Sequence, residues 1–306
     1  MMSTWLSGAV RVRVPATSAN LGPGFDSLGL ALGLYDSLTA MVSDDKGVLI
    51  EVEGEGLGEV ALDSSHLVAR AMALGFAAMG AMPTGFVLRC TNVIPHGRGL
   101  GSSAAAIIGG LVLARGLHEQ GDSLLSDHDL LQLALELEPH PDNLAAALHG
   151  GFTTAWMHDS SAEVVRQEAH IDIKPIIAIP EFRVPTAEAR SALSATVSRS
   201  DASFNISRSA LLVHAITKDP TLLLEATDDR LHQEPRRAMY PSSMDLIDRL
   251  RAQGMAAVIS GAGPTVLVLA TKDQRDAVHV EAGVRWRVES RPIATRGAYV
   301  DPVTAS

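Results

Sequence analysis

At 306 residues the chain is long enough for one large domain or two ordinary ones, and 46% hydrophobic with 20% charged residues is the composition of a globular protein with a full core. A formal net charge of −10 argues against a nucleic-acid partner, because phosphate-backbone binding needs clustered Lys and Arg. Cys90 is the single cysteine, so no intrachain disulfide framework exists; neither a basic-then-apolar leader nor an unbroken apolar span occurs, since Gly261, Gly263 and Pro264 interrupt the uncharged run Met255 to Ala270, and the expectation is a cytoplasmic protein with no membrane partner.

Val10, Val12 and Val14 alternate with Arg11 and Arg13, the period of a half-exposed strand. This run leads into Pro15-Ala-Thr-Ser-Ala-Asn20-Leu-Gly-Pro-Gly-Phe-Asp26, read as a turn-rich segment that offers Ser18, Asn20 and Asp26 as converging polar groups. A turn at 44–47, a strand from Val48 to Val52 and an amphipathic helix over 64–79 follow, the last with Leu67, Ala71, Leu74 and Ala78 on one face.

The apolar-alternating run Phe86 to Ile94 predicts a strand. It ends in Pro95-His96-Gly97-Arg98-Gly99-Leu100-Gly101-Ser102-Ser103-Ala104-Ala105, which opens an Ala/Leu-rich helical run closing near Leu117. A Gly-rich turn between strand and helix leaves unpaired N–H groups at the positive end of the helix dipole, which is an anion site and most often a phosphate site. No lysine stands nearby, so this is not a P-loop. The permissive dinucleotide form G-x-G-x-x-A fits Gly99 to Ala104, with Glu119 about twenty residues on; Glu119 closes a helix, however, and no second apolar strand carries it.

Ser126 or Asp127 caps a further helix through Leu137, which stops at Glu138-Pro139. His140-Pro-Asp142-Asn143 is a compact polar cluster before a short Ala-rich helix and Gly150-Gly151, and spacing alone favours a structural turn there. Strands are expected at 152–156 and 171–179, with a domain boundary near Asp159. Short helices are expected at 186–190, 204–216 and 221–231, and another from a capping-box-like Ser242 and Asp245 to Gly254. Strands at 255–259 and 266–269 flank Ser260-Gly-Ala-Gly-Pro-Thr265; a helix over 273–282 and strands near Val284 and Ala298 complete the chain.

Pro-x-x-x-Gly-Leu-Gly-Ser-Ser-Ala closely resembles the second motif of the GHMP kinases, Pro15 to Asp26 resembles their first motif in its homoserine-phosphorylating form, and the 260–265 turn resembles the third. The resemblance runs from about Val10 to Ala298. It implies an α+β protein of GHMP kinase fold, with a ribosomal-protein-S5-like N-terminal nucleotide-binding domain (1–158) and a ferredoxin-like C-terminal domain (159–306). It implies ATP and Mg2+ as cofactors and L-homoserine as the small-molecule partner, and leaves room for a homodimer. The turn from Pro95 to Ala105 would hold the nucleotide phosphates. Ser102 or Ser103 with Glu138 would hold the metal, although Pro139 replaces the family's usual glycine and keeps Glu136 open as the carboxylate. His66 becomes an adenine-side candidate. Asn20, Asp26, His140, Asn143, Arg190 and Arg236 become substrate-binding candidates, with Arg236 favoured over Arg237. Asp142, Asn143 and Glu138 are the catalytic candidates, and the hydroxyl proton would pass either to the γ-phosphate itself or to Asp142.

Overall fold

The computed structural model describes residues 4–301. In chain order the strands are β1 (Val10–Asn20), β2 (Gly24–Ser43), β3 (Gly47–Gly54), β4 (Gly85–Asn92), β5 (Phe152–His158), β6 (Ser161–Gln167), β7 (Lys174–Pro180), β8 (Ala257–Ile259), β9 (Val266–Ala270), β10 (Trp286–Ser290) and β11 (Tyr299–Asp301). The helices are α1 (Leu67–Ala78), α2 (Ser102–Leu117), α3 (Gly121–Leu124), α4 (Asp127–Leu135), α5 (Pro141–His149), α6 (Thr186–Ser191), α7 (Arg199–Thr217), α8 (Leu223–Ala226), α9 (Pro241–Ala252) and α10 (Arg275–Ala282).

The larger sheet runs β11-β1-β2-β4-β3, with β5 joining the other half of β2 and β6 pairing β5. The 20-residue β2 serves two partners in turn: Leu28 to Leu30 face Phe152 to Thr154 of β5, and Ser37 to Ser43 face β4. Bulges between Pro15 and Ala16 and between Ala19 and Asn20 shift its register with β1, the usual way a strand bends to re-aim side chains. The α1 crossover connects β3 to β4, which pair in parallel. Helices α1, α2, α4 and α5 cover the sheet and share one core with it. Residues such as Leu111, Leu113 and Ile108 of α2 are fully buried, each contributing roughly 1.5–3 kcal/mol of apolar burial.

The smaller sheet has the order β10-β7-β9-β8, every neighbouring pair antiparallel. Counting only its own strands, this is order 4-1-3-2 with helices between the first and second and between the third and fourth, which is the ferredoxin-like split β-α-β arrangement. Its own core joins Ile176, Ala178, Leu246, Ile247 and Val268 under α9 and α10.

Several sequence expectations change. Pro15 to Asn20 is strand, not turn, since it pairs with Tyr35 and with Leu32 to Gly24 of β2, leaving only a short turn at 21–23. The run 221–231 makes one 3-10 turn and one α-turn before the chain bends, so most of the expected helix is absent. No side chain caps α9: Tyr240 is its N-cap and Pro241 its first residue, a place where proline suits the helix because its missing N–H would have no partner there. Residues 159–160 form the turn of the β5–β6 hairpin, and β6 stays with the larger sheet. At α4, Ser126 is the cap, with the full reciprocal box to Asp129.

Candidate active site

The glycine turn after β4 is shaped by what packs against it. Gly97, Gly99 and Gly101 all have positive φ (65°, 74° and 69°), a region costly for other L-residues. A Cβ at Gly99 would lie 2.2 Å from the carbonyl oxygen of Ser260, and one at Gly101 would lie 1.9 Å from Oγ1 of Thr17. The turn is therefore pressed between β1 and the 260–265 turn. Leu100 O accepts from Thr17 N at 3.0 Å, Ala19 O from Gly261 N at 3.1 Å, and Arg98 O from Thr265 N at 3.3 Å. Ser260 Oγ donates to Gly99 O at 2.6 Å and lies 2.8 Å from Ser18 Oγ. Gly101 is the N-cap of α2 in the left-handed conformation, and no side chain caps the helix. The first-turn N–H groups of a 16-residue helix thus begin at the wall of a cleft lined by Gly97, Gly99, Gly101, Ser102, Ser103 and Ala104. Such an end binds anions through oriented N–H groups and the helix dipole.

Across the cleft stands a charged cluster. Arg190 of α6 donates from both terminal nitrogens to Asp26, at 3.0 and 2.7 Å, and its buried Nε has no acceptor among the described residues. Asp26 sits at φ 55°, held by its own N–H donating to Asn20 Oδ1 at 3.0 Å, while Asn20 Nδ2 donates to Gly261 O at 2.9 Å. Both polar ends of the Asn20 amide are thus engaged in fixing the turn. Arg236 is 2% exposed, donates to Ala189 O at 2.7 Å and lies 3.3 Å from His232 Nδ1. Phe25 lies between the two guanidinium groups, 5.4 Å from Arg190 and 5.6 Å from Arg236, and stacks on His232 at 5.2 Å. A carboxylate beside two arginines over an aromatic face suits a ligand carrying both an ammonium and a carboxylate.

The segment before α5 forms the third wall. Glu138 Oε1 and His140 Nδ1 share a 2.6 Å hydrogen bond, and that bond holds the His140 ring above its ordinary pKa. Asp142 is 3% exposed, with Oδ1 accepting from Asn143 N at 2.6 Å; burial pushes its carboxyl up to about 7. Asn143 Oδ1 accepts from Thr17 Oγ1 at 2.7 Å. Glu138, His140, Asp142 and Asn143 line the same cleft as Asn20, Asp26, Arg190 and Arg236. Glu136 is exposed and outside the lining, so Glu138 is the carboxylate that faces the glycine turn.

Not every predicted residue reaches this cleft. Arg98 donates to Pro180 O at 2.9 Å and to Glu181 O at 2.8 Å, tying the glycine turn to the end of β7 instead of facing the cleft, and Pro95 lies beside it. Leu100 and Ala105 are buried packing residues. His96 lines an apolar pocket on the other side of Ser102 and Ser103, with His66, Val60, Ala61 and Leu67. Burial lowers the pKa of both imidazoles. Sequence reasoning missed Thr17, Phe25 and His232, whose signal was only their place beside motif residues. It also missed Asp36, which accepts from Val93 N at 2.6 Å and Ile94 N at 2.9 Å and so anchors the chain just before the glycine turn.

Residues 66–151 match the family described as GHMP kinases N terminal domain, and 211–285 match GHMP kinases C terminal. The chain is 51% identical over 299 residues to the homoserine kinase of Streptomyces avermitilis, covering 98% of each, and 49% identical over 300 residues to that of Streptomyces coelicolor, covering 98% of this chain and 97% of the relative. The crystal structure of homoserine kinase from Cytophaga hutchinsonii superposes with a TM-score of 0.85 at 25% identity, covering 98% of this chain and all of that one.

Proposed function

The chain belongs to the GHMP kinase family, and we propose that it transfers the γ-phosphoryl group of ATP to the side-chain hydroxyl of L-homoserine, giving ADP and O-phospho-L-homoserine, a step towards threonine. The observation that carries this reading is the pairing, in one cleft, of an uncapped helix N-terminus with the Asp26, Arg190 and Arg236 cluster. One end suits phosphates and the other suits an amino-acid head group.

The roles are assigned from each group's position in the cleft and its hydrogen-bond partners. Backbone N–H groups from Gly97 to Ser103 hold the β- and γ-phosphates, and the apolar pocket with His66 and His96 takes the base, its neutral rings avoiding a charge against the purine. Asp26 takes the substrate ammonium, while Arg190 and Arg236, both over the Phe25 ring, take its carboxylate. Asn20 holds Asp26 and the 260–265 turn in place. His140 orients Glu138, and Asn143, fixed by Thr17, faces the acceptor hydroxyl.

The donor set fits Mg2+: Ser102, Ser103 and Glu138 share the cleft wall, and among the described residues no cluster of three or more His, Cys, Asp and Glu could hold a metal alone. Mg2+ is commonly held by one or two protein oxygens plus phosphates and water. When bound, it neutralises charge on the transferring phosphoryl group. Asp142, buried with a carboxyl near 7, is matched to accept the hydroxyl proton at neutral pH. Phosphoryl transfer is otherwise positioning and charge neutralisation, which this arrangement supplies. The larger sheet with its helices then carries the nucleotide side, and the chain between β7 and β8 supplies Arg190 and Arg236 to the substrate side.

The test is ADP release from purified protein with ATP and Mg2+, comparing L-homoserine with L-serine, mevalonate, galactose and no acceptor. Selective release with L-homoserine is expected. Release with a different acceptor would overturn the assignment of the Asp26, Arg190 and Arg236 cluster, and ATP binding without release for any acceptor would overturn the catalytic reading.

A further inference from the structure

Behind the smaller sheet lies a second cavity of about 610 Å3 that shares no residue with the cleft. It opens where β6 passes to β7, where β9 passes to α10 and where β10 passes to β11. The buried Ile173 and Ile176 close its floor, Pro292 and Ile293 supply accessible apolar surface, and its volume falls in the range of small-molecule sites.

The charges around it are unequal in availability. Glu168 is paired with Arg166 and Arg291 with Glu289; Asp273 accepts from the backbone Arg275 N but enters no ion pair among the described residues, and His170 lies 3.6 Å from Asp172. Lys174 and Lys272 enter no ion pair among the described residues. They stand at the same end of the sheet, because Lys174 opens β7 opposite Ala270 and Lys272 follows β9 by two residues. Two of the chain's four lysines thus stand on this one cavity, against a single carboxylate of its lining without an ion pair, Asp273.

The geometry points to a binding site for a small amphipathic monocarboxylate, its apolar body on Pro292 and Ile293 and its carboxylate between Lys174 and Lys272. A carboxylate there gains charge-assisted hydrogen bonds from two donors not committed elsewhere, and the apolar part removes the exposed surface of Pro292 and Ile293 from water. The site is distinct from the cleft: it lies at the opposite end of β7 from Pro180, the residue that holds Arg98 of the glycine turn, roughly 20 Å away along an extended strand. The inference does not depend on which alcohol the cleft phosphorylates.

The experiment is calorimetric titration of decanoate into the full chain, with and without saturating non-hydrolysable ATP analogue, Mg2+ and L-homoserine. One-site binding that persists when the cleft is filled is expected, with neutral decanol binding at least about tenfold more weakly. Lys174→Gln and Lys272→Gln, both at exposed positions, should each weaken decanoate by about tenfold or more, the size expected for a hydrogen bond to a charged group. Thr295→Trp, which obstructs the cavity mouth without touching either lysine, should abolish binding. Absence of decanoate binding, its loss on filling the cleft, or affinity unchanged by both lysine substitutions would overturn the site.

Discussion

Asp142 should cost the protein stability while serving its reaction, and Asp142→Asn separates the two. The carboxyl is 3% exposed and its pKa is pushed from 3.8 to about 7, first by burial, with Asp26 and Glu138 nearby adding to it and the Asn143 N–H and His140 opposing. A pKa raised in the folded state leaves stability untouched below pH 3.8, where both states are protonated. Between 3.8 and about 7 the unfolded chain ionises first, so stability falls as pH rises, and above 7 the penalty is complete. A displacement of about three pH units, at roughly 1.4 kcal/mol each, gives a penalty on the order of 4 kcal/mol. Asparagine is nearly isosteric, keeps an oxygen for Asn143 N and carries no charge. Thermal and urea unfolding at pH 8 should therefore show the variant more stable than the wild type, by up to about 4 kcal/mol, with the gap closing towards pH 4. Turnover should fall by roughly a hundredfold or more if the carboxylate accepts the hydroxyl proton, and wild-type kcat/KM should rise with pH through about 7. An Asp142→Asn protein no more stable than wild type at pH 8 would refute the burial argument. A more stable variant with full turnover would refute the base role alone and leave the proton to the γ-phosphate.

Arg190→Lys keeps the charge but removes the planar fork that makes two bonds to Asp26. The KM for L-homoserine should rise about tenfold to a hundredfold with the KM for ATP nearly unchanged; equal effects on both would contradict the split of the cleft into two ends. Gly101→Ala places a methyl group 1.9 Å from Thr17 Oγ1 at a φ of 69°. It should destabilise the fold by roughly 2–4 kcal/mol and weaken nucleotide binding as the glycine turn is pushed away from β1. Unfolding and nucleotide titrations that match wild type would show that the glycine turn is looser than its packing implies.

Much of the site was legible because its chemistry is local. A strand, three glycines and an Ala-rich helix in immediate succession suffice to place unpaired N–H groups at a helix start, whatever the rest of the chain does. The helices α1, α2, α4 and α5 and the strands of the smaller sheet were likewise written in periodicity and caps. Pro15 to Asn20 misled for an equally physical reason. Its small and polar residues carry turn propensity, yet β2 supplies a hydrogen-bonded partner along its whole length, and sheet pairing overrides propensity. The 221–231 run failed as a helix because Asp229 turns the chain by accepting from the N–H groups of Leu231, His232 and Gln233 and from Asn205 of a different helix.

The sequence by itself determined the glycine turn between β4 and α2, because it depends on neighbours within a dozen positions, whereas Arg190 and Arg236 were legible only through resemblance to the family. Tertiary structure decided which of those residues act together. Arg98, in the middle of the glycine turn, is drawn to the end of β7 by backbone carbonyls more than eighty positions away, while Arg190 and Asp26, 164 positions apart, meet in a bidentate pair. It also decided that Glu138 and not Glu136 faces the cleft, and that Asp142 is buried deeply enough for its carboxyl to titrate near neutrality. Direction and desolvation are properties of the packed molecule: a side chain's charge is fixed by its type, but its aim and its pKa are fixed by what surrounds it.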